Sequence, residues 1–431
     1  MTTPKPTREA APRSRRPRLA CLLAALGLLF ALAGCGGPGH RDSVTIMVPW
    51  TQPEEFQAFY RLVKDFEDST GFPVDVQVTR ALTQQLDASV QAGAPPDLAV
   101  LPSAAAVIRY AEAKTTHGGR LRPLDGAVDV GDFQQPFRGL AQVDGVTYAV
   151  PVKVDVKSLV WYDPRGSDAP ADDASWRSVT RQTGLTWCLG LESGPTSGWP
   201  GADWIADLLL ADAGADTYAK WVSGELPWTS APVRKAWSDW HDDVGREVLK
   251  GAGGRDFAAA SKGMTKGSPK CRLAHGARSA LAPGLRKDSR FTFAAPEADQ
   301  PIEVSGDFVG MFGADNPGAR AFVSYLAGAK AQQAWVDAAG TAAFSAHRNV
   351  TRYANPVQQR IARMLRPGEH TLCFSAADAM SPDVAAAFYR TVLDYAGRDK
   401  DPDTVLADLQ KVQDELGGTG VPRQSICADP T

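Results

Sequence analysis

Trp199, Asp203 and Trp204 stand close together in Gly198-Trp199-Pro200-Gly201-Ala202-Asp203-Trp204. Pro200 and Gly201 break what precedes them, and Asp203, Ile205, Leu208 and Leu209 suit the first turns of an amphipathic helix. Two indoles and a carboxylate are thus expected at the mouth of a loop where a helix begins. Flat apolar faces for stacking, plus a few placed acceptors for hydroxyls, are the equipment that sugar binding requires. In a chain with 11 Trp, the same indoles also make packing anchors. The elements that must position them weigh between the two readings.

Ser43–Val48 reads as a strand. Thr51 and Glu54 follow at capping-box spacing, and Phe56, Phe59, Tyr60, Val63 and Phe66 recur at helical spacing. Val74, Val76 and Val78 alternate as a second strand, Leu82–Ala92 is a second helix, Asp97–Leu101 a third strand and Ala104–Lys114 a third helix. This order demands a parallel sheet with right-handed crossovers. Ligands of such sheets bind beyond the carboxyl ends of the strands, where this chain offers Trp50, Thr79-Arg80 and Leu101-Pro102-Ser103. Val143-Asp144-Gly145-Val146 is a hairpin signal. Tyr148–Asp155, running into Ser158–Tyr162, reads as a first crossing between two lobes. Trp187–Leu191, Cys271–Leu273, Phe291–Phe293 and Val304–Phe312 read as further strands. Helices are expected around Tyr218–Val222, Val233–Leu249, Pro317–Ala327, Ala331–Ala339, Pro382–Tyr395 and Thr404–Leu416.

The 431 residues, 44% hydrophobic and 22% charged, suffice for two sizeable lobes. Arg13, Arg15, Arg16 and Arg18 precede an apolar run, Leu19–Ala33. That run falls short of the roughly 20 residues of a membrane span and reads as a signal peptide. Residues 1–34 hold six of the 46 Lys/Arg and one of the 49 Asp/Glu, so the remainder has 40 basic and 48 acidic residues, net −8. That balance argues against a nucleic-acid partner.

Cys21 lies in the apolar run. Leu32-Ala33-Gly34-Cys35 resembles a bacterial lipobox, which implies cleavage before Cys35 and diacylglycerol on its sulfur, with residues 35–43 as a tether. Four cysteines remain: Cys188, Cys271, Cys373 and Cys427. An even count in an exported chain favours disulfides, with three pairings open. Cys188–Cys271 and Cys373–Cys427, the latter clamping the C-terminal tail, is the expected set. Their spacing is wrong for a zinc cluster, and the six histidines are scattered singly, so neither metal nor cofactor is expected.

The order of signal peptide, lipobox, short linker and two α/β lobes resembles an extracellular solute-binding lipoprotein of a sugar ABC importer. Phe66-Glu67-Asp68-Ser69-Thr70-Gly71, Gly93-Ala94-Pro95-Pro96-Asp97-Leu98 and Tyr148-Ala149-Val150-Pro151 are common to that broad family. Lys157-Ser158-Leu159-Val160-Trp161-Tyr162, Gly198–Trp204, Ser305-Gly306-Asp307 and the Cys188/Cys271 pair are similar to its alpha-glucoside-binding group. The chain departs at Leu101–Ala105, which lacks a Gln-Pro-Gly, and at Phe344–His347, which lacks a Ser-Pro. The resemblance implies a two-lobed periplasmic-binding-protein-like α/β fold with several hinge crossings and a cleft between lobes. Residues 44–154 with 306–340 would form one lobe, and 155–305 with 341–431 the other. It implies a lipid-anchored monomer on the extracytoplasmic face of the cell membrane. Such a protein captures a sugar or oligosaccharide, with an alpha-glucoside the expected class, and delivers it to an ABC permease by hinged closure.

On that reading Trp50, Trp199, Trp204 and Trp228 are stacking candidates, Asp97, Asp155, Asp203 and Asp307 candidate acceptors, and Arg80 and Lys153 candidate donors. Two rivals stand beside it. A receptor coupled to a membrane sensor would use the same fold. A lipid-anchored glycoside hydrolase would need two carboxylates about 5–9.5 Å apart; the chain carries no recognisable hydrolase signature, nucleophile elbow or zinc motif, so no enzyme is expected.

Overall fold

A computed structural model describes residues 43–112, 121–166, 176–180, 186–265, 271–288, 290–397, 401–417 and 420–431. The signal peptide, the lipobox and Cys35 lie outside them. Strand β1 (Val44–Val48) leads into helix α1 (Pro53–Thr70), β2 (Val74–Val78), α2 (Leu82–Gln91), β3 (Leu98–Leu101) and α3 (Ala104–Glu112). Strand β1 pairs in parallel with both β2 and β3, as the strand–helix alternation requires. Helix α1 buries Phe59, Leu62, Val63 and Phe66 against the sheet and ends at Gly71, whose φ of 73° only glycine adopts freely. The capping box does not form. Pro53 opens the helix and Gln52 is its cap, while the Thr51 hydroxyl accepts a hydrogen bond from Arg80 Nε at 2.9 Å.

The hairpin β4 (Gln142–Val143) and β5 (Val146–Thr147) turns on Asp144 and Gly145, both at positive φ. Strand β6 (Ala149–Val156) and the late strand β10 (Ile302–Met311) form a long antiparallel ribbon. The carboxyl-terminal half of β10 also pairs with β3, and its amino-terminal half pairs with β11 (Leu372–Phe374), which pairs with β12 (Cys427–Ala428). A seven-stranded sheet thus runs through the ribbon. A small separate sheet joins β7 (Val160–Tyr162) to β8 (Ala274–His275) and β9 (Thr292–Ala294).

Helix α4 (Trp199–Val222) is interrupted at Gly214, where the backbone leaves helical geometry. Residues 201–210 of α4 are buried on every side, so this part of the helix is enclosed rather than amphipathic, with Asp203 and Asp207 buried among apolar residues. Against α4 pack α5 (Ala231–Val244) and α6 (Pro382–Gly397), and α7 (Pro402–Leu416) packs on both of those. Trp221, Trp228, Trp237, Trp240 and Phe388 fill the space between them. Trp187–Leu191 makes no strand. Its backbone takes scattered partners, Cys188 N–H donating to Leu273 O at 2.7 Å and Leu191 N–H to Ala252 O at 3.0 Å. Disulfides join Cys188 to Cys271 and Cys373 to Cys427. No helix among the described residues is long and apolar enough to cross a membrane.

Candidate functional site

Lys153, Asp155 and Lys157 alternate along β6 and just past it, and Asp307, Ser305 and Glu303 alternate along β10. A strand's period of two puts each set on one face. The register sets Asp307 opposite Lys153 and Ser305 opposite Asp155, and Lys157 N–H donates to Glu303 O at 2.8 Å. One face of the ribbon is therefore a stripe of opposed charges, mostly buried. At its two ends the stripe meets two different groups of side chains.

The first lies at the carboxyl ends of the parallel strands. Trp50, just beyond β1, donates from Nε1 to Asp307 Oδ2 at 3.0 Å. Its ring packs edge-on to Trp335, with centroids 4.8 Å apart, and lies 4.9 Å from Phe59. Lys153 Nζ is 3.1 Å from Glu55 Oε1 and 3.7 Å from Asp155 Oδ2. The Ser279 hydroxyl donates to Asp155 Oδ2 at 3.0 Å. Arg286 Nη1 is 3.9 Å from the same Glu55 oxygen, and Arg278 donates to Thr341 O and Arg286 O at 2.8 and 2.7 Å. Burial pushes the Asp155 carboxyl up to about 6, with Lys153 pulling it back, and raises Asp307 as well. Burial opposes the charge of Lys153, but Glu55, Asp155 and Asp307 outweigh it and hold the ammonium above its usual range. Burial, with Arg286 beside it, lowers Arg278 to about 10.

The second group surrounds Lys157, whose Nζ is 2.9 Å from each Asp203 oxygen, 3.1 Å from Ser375 Oγ and 3.5 Å from Asp378 Oδ2. Nearby, Asp207 accepts from the Ser158 hydroxyl and meets His275 Nε2 at 2.9 Å. The Tyr218 hydroxyl donates to Phe374 O at 3.0 Å. Burial lifts Asp203 to about 6 against the pull of Lys157, and burial with Asp203 alongside lifts Glu303 well above the carboxylate range. Trp199 is half-buried, edge-on to Phe257 with ring centroids 5.1 Å apart and with Lys157 Nζ 5.9 Å from its ring centroid.

The structure brings Trp50, Lys153, Asp155 and Asp307 together, and Trp199 and Asp203 together at the other end of the ribbon. Exposed Arg80 is held beside Trp50's neighbour Thr51. Three candidates sit elsewhere. Asp97 precedes β3, at the amino end of the sheet, where it accepts from Thr45 N–H and Oγ1, both at 2.8 Å, and from Asn316 Nδ2 at 3.1 Å. Its oxygens brace the start of two strands. Trp204 lies flat on His275, centroids 4.8 Å apart, and against Trp187. Trp228 packs on Trp221 and Phe388, each at 5.0 Å. Both indoles are 1% exposed and serve the core. Lys157 stands in the sequence only as the start of the Lys157–Tyr162 motif, and Glu55, Arg278, Ser279, Arg286 and Asp378 are not among the sequence candidates. Lys157 and Glu303 complete the two alternating sets, a signal open to inspection; the arginines carry no comparable local pattern.

The model of the bacterial extracellular solute-binding protein family matches residues 61–350. The alpha-glucosides-binding periplasmic protein AglE of Rhizobium meliloti (strain 1021) is 31% identical over 414 residues, 87% of this chain and 88% of that protein. The osmoprotective compounds-binding protein GgtB of Synechocystis sp. is 28% identical over 399 residues, 86% of this chain and 93% of its own length. Among solved structures, the bacterial solute receptor AcbH, described as having an exclusive substrate preference for b-D-galactopyranose, gives a TM-score of 0.73 at 20% identity, covering 88% of this chain and 100% of that one. That likeness shows the fold, the two-lobed α/β class expected from the sequence. A matching family model over most of the chain, and a relative above 30% identity along nearly all of it, place this protein: it belongs to the bacterial extracellular solute-binding protein family.

Proposed function

We propose that this protein captures an uncleaved sugar or oligosaccharide, of alpha-glucoside type, and hands it to the membrane subunits of an ABC importer. It works as a monomer tethered outside the membrane by lipid on Cys35, after removal of residues 1–34. Residues 44–154 with 306–340 and residues 155–305 with 341–431 act as two lobes that close about the β6–β10 ribbon. The observation that carries the reading is the gathering of Trp50, Asp307, Lys153 and Asp155 at the carboxyl ends of the parallel strands, where open α/β sheets take ligands. Buried charged groups beside a carboxylate that holds an indole N–H supply the polar partners that a sugar ring needs; the Trp50 ring itself is 4% exposed and packs on Phe59 and Trp335. The names of the two sequence relatives support the solute class.

The test is thermal unfolding of residues 36–431 with mono- and oligosaccharides, polyols and amino acids; Asp42–Thr431 clusters as a unit by itself. A ligand at 100 times its dissociation constant adds about 2.7 kcal/mol. A rise confined to one saccharide class, with the sugar recovered intact, is expected. Response to amino acids alone would sink the sugar reading, and a cleaved product would turn it into an enzyme. The tether has its own test. Cys35→Ser releases the full chain from membranes into the aqueous phase of a detergent partition, and continued retention in the detergent phase would count against lipidation.

A further inference from the structure

We propose that Asp155 and Arg286 hold hydroxyl groups of one uncharged, polyhydroxylated ligand, Asp155 Oδ1 accepting and Arg286 Nε and Nη1 donating. The proposal rests on the sugar-binding reading and narrows it. Both residues are more than nine-tenths buried, at 8% and 7% exposure. Around them, hydrogen bonding is largely met: Asp155 Oδ2 has Ser279 and Lys153, and Arg278 donates to two carbonyls. Yet Asp155 Oδ1 and Arg286 Nε and Nη1 have no hydrogen-bond partner among the described residues. Leaving such groups unmet costs about 1–3 kcal/mol each, more when charged, so buried polar atoms are rarely left that way.

The two belong to one place. Asp155 Oδ2 is 3.7 Å from Lys153 Nζ, Lys153 is 3.1 Å from Glu55 Oε1, and Glu55 is 3.9 Å from Arg286 Nη1. The three contacts share Lys153 Nζ and Glu55 Oε1, so Asp155 and Arg286 flank a single ion pair. The ligand's charge is constrained as well. Glu55, Asp155 and Asp307 face Lys153, Arg278 and Arg286, so the cluster is balanced before any ligand arrives. A charged ligand would leave one buried charge unmatched, a penalty of several kcal/mol. Chemistry selects the group. A carboxylate or phosphate accepts from Arg286 but meets repulsion from Asp155. An ammonium donates to Asp155 but has nothing to offer the guanidinium. A hydroxyl does both.

The experiment is calorimetric titration of the full chain in detergent with maltose and trehalose, against trehalose phosphate and amino-deoxytrehalose. An uncharged disaccharide is expected to bind, with its charged counterparts at least about tenfold weaker. Asp155→Asn and Arg286→Gln should each weaken binding roughly ten- to hundredfold. Each also removes one charge from a balanced buried cluster, so both are expected to lower the melting temperature without sugar, and the affinity of the folded variants is the readout. A charged probe that binds as well as the uncharged one overturns the proposal. So do two folded variants of unchanged affinity, with the sugar reading left standing. Silence from every saccharide overturns both. Should Arg286→Gln fail to fold, the wild-type contrast between charged and uncharged probes decides alone.

Discussion

The two ends of the β6–β10 ribbon use the same materials to different ends. At the Lys157 end, the ammonium is enclosed by Asp203, Ser375 and Asp378, and Asp207 is taken up by Ser158 and His275. Burial, with Asp203 alongside, raises Glu303 well above the carboxylate range, and its Oε2 has no hydrogen-bond partner among the described residues. Apart from Glu303, that end answers its own charges. At the Lys153 end, Asp155 and Arg286 retain unmet hydrogen-bonding capacity, beside an indole and the carboxyl ends of three strands. Buried charge that is complemented fastens the chain to itself, whereas buried charge that is half complemented is available to something else.

The largest effect should come from breaking the closed end. Lys157→Met removes the cation between Asp203 and Asp378 and leaves two carboxyls in a buried site. Denaturant unfolding should show a loss of about 3–5 kcal/mol. A loss under about 1 kcal/mol would mean that the carboxyls simply take up protons, and the contrast between the two ends would dissolve. Trp50→Phe probes the open end more gently. The ring survives against Trp335 and Phe59, but Asp307 loses the Nε1 donor, at an expected cost of about 1–3 kcal/mol. Sugar affinity should fall with it; unchanged affinity in the folded variant would remove Trp50 from the site.

Trp199 tests whether the closed end touches ligand at all. Its ring is half-buried beside Lys157. Trp199→Ala should weaken sugar binding at least about tenfold, about 1.4 kcal/mol, with little change in melting temperature. An unchanged affinity would confine recognition to the Lys153 end.

What the sequence made legible follows from range. The alternation of strand and helix through Leu101 is written in local periodicity, and β1, α1, β2, α2 and β3 appear where it puts them. Residue type did not separate a stacking indole from a core indole. The distinction lay in the company: Trp204 sits in Asp203–Leu210, a stretch apolar on every face apart from Asp203 and Asp207, so it was bound to be enclosed. Asp97 was misplaced for a similar reason. It stands before its strand rather than after it, and ligands of such sheets gather at the carboxyl ends. Asp203 reads as a candidate acceptor because nothing near it in sequence announces Lys157, whose ammonium it binds in the folded chain. Arg278 and Arg286 come from a stretch with neither helical nor strand period, and only the folded chain brings them to Glu55 and Asp155.

The smallest effect separates the two ends by pH. Asp155 has its carboxyl lifted to about 6 by burial, within a surround of Lys153, Glu55, Asp307, Arg278 and Ser279. A ligand hydroxyl that donates to Oδ1 needs the carboxylate, so protonation competes with binding. At pH 7.5 the group is ionised and affinity is full; as pH falls through about 6 the proton occupies the acceptor and affinity declines. One titrating group of that kind loses about tenfold by pH 5, about 1.4 kcal/mol. Asp203 is lifted to about 6 too, but its oxygens are engaged by Lys157, so its protonation should leave affinity alone. Calorimetric titration from pH 5 to 7.5 should therefore give a decline that Asp155→Asn abolishes and Asp203→Asn leaves in place. A decline that survives in Asp155→Asn would move the titrating acceptor to the other end of the ribbon.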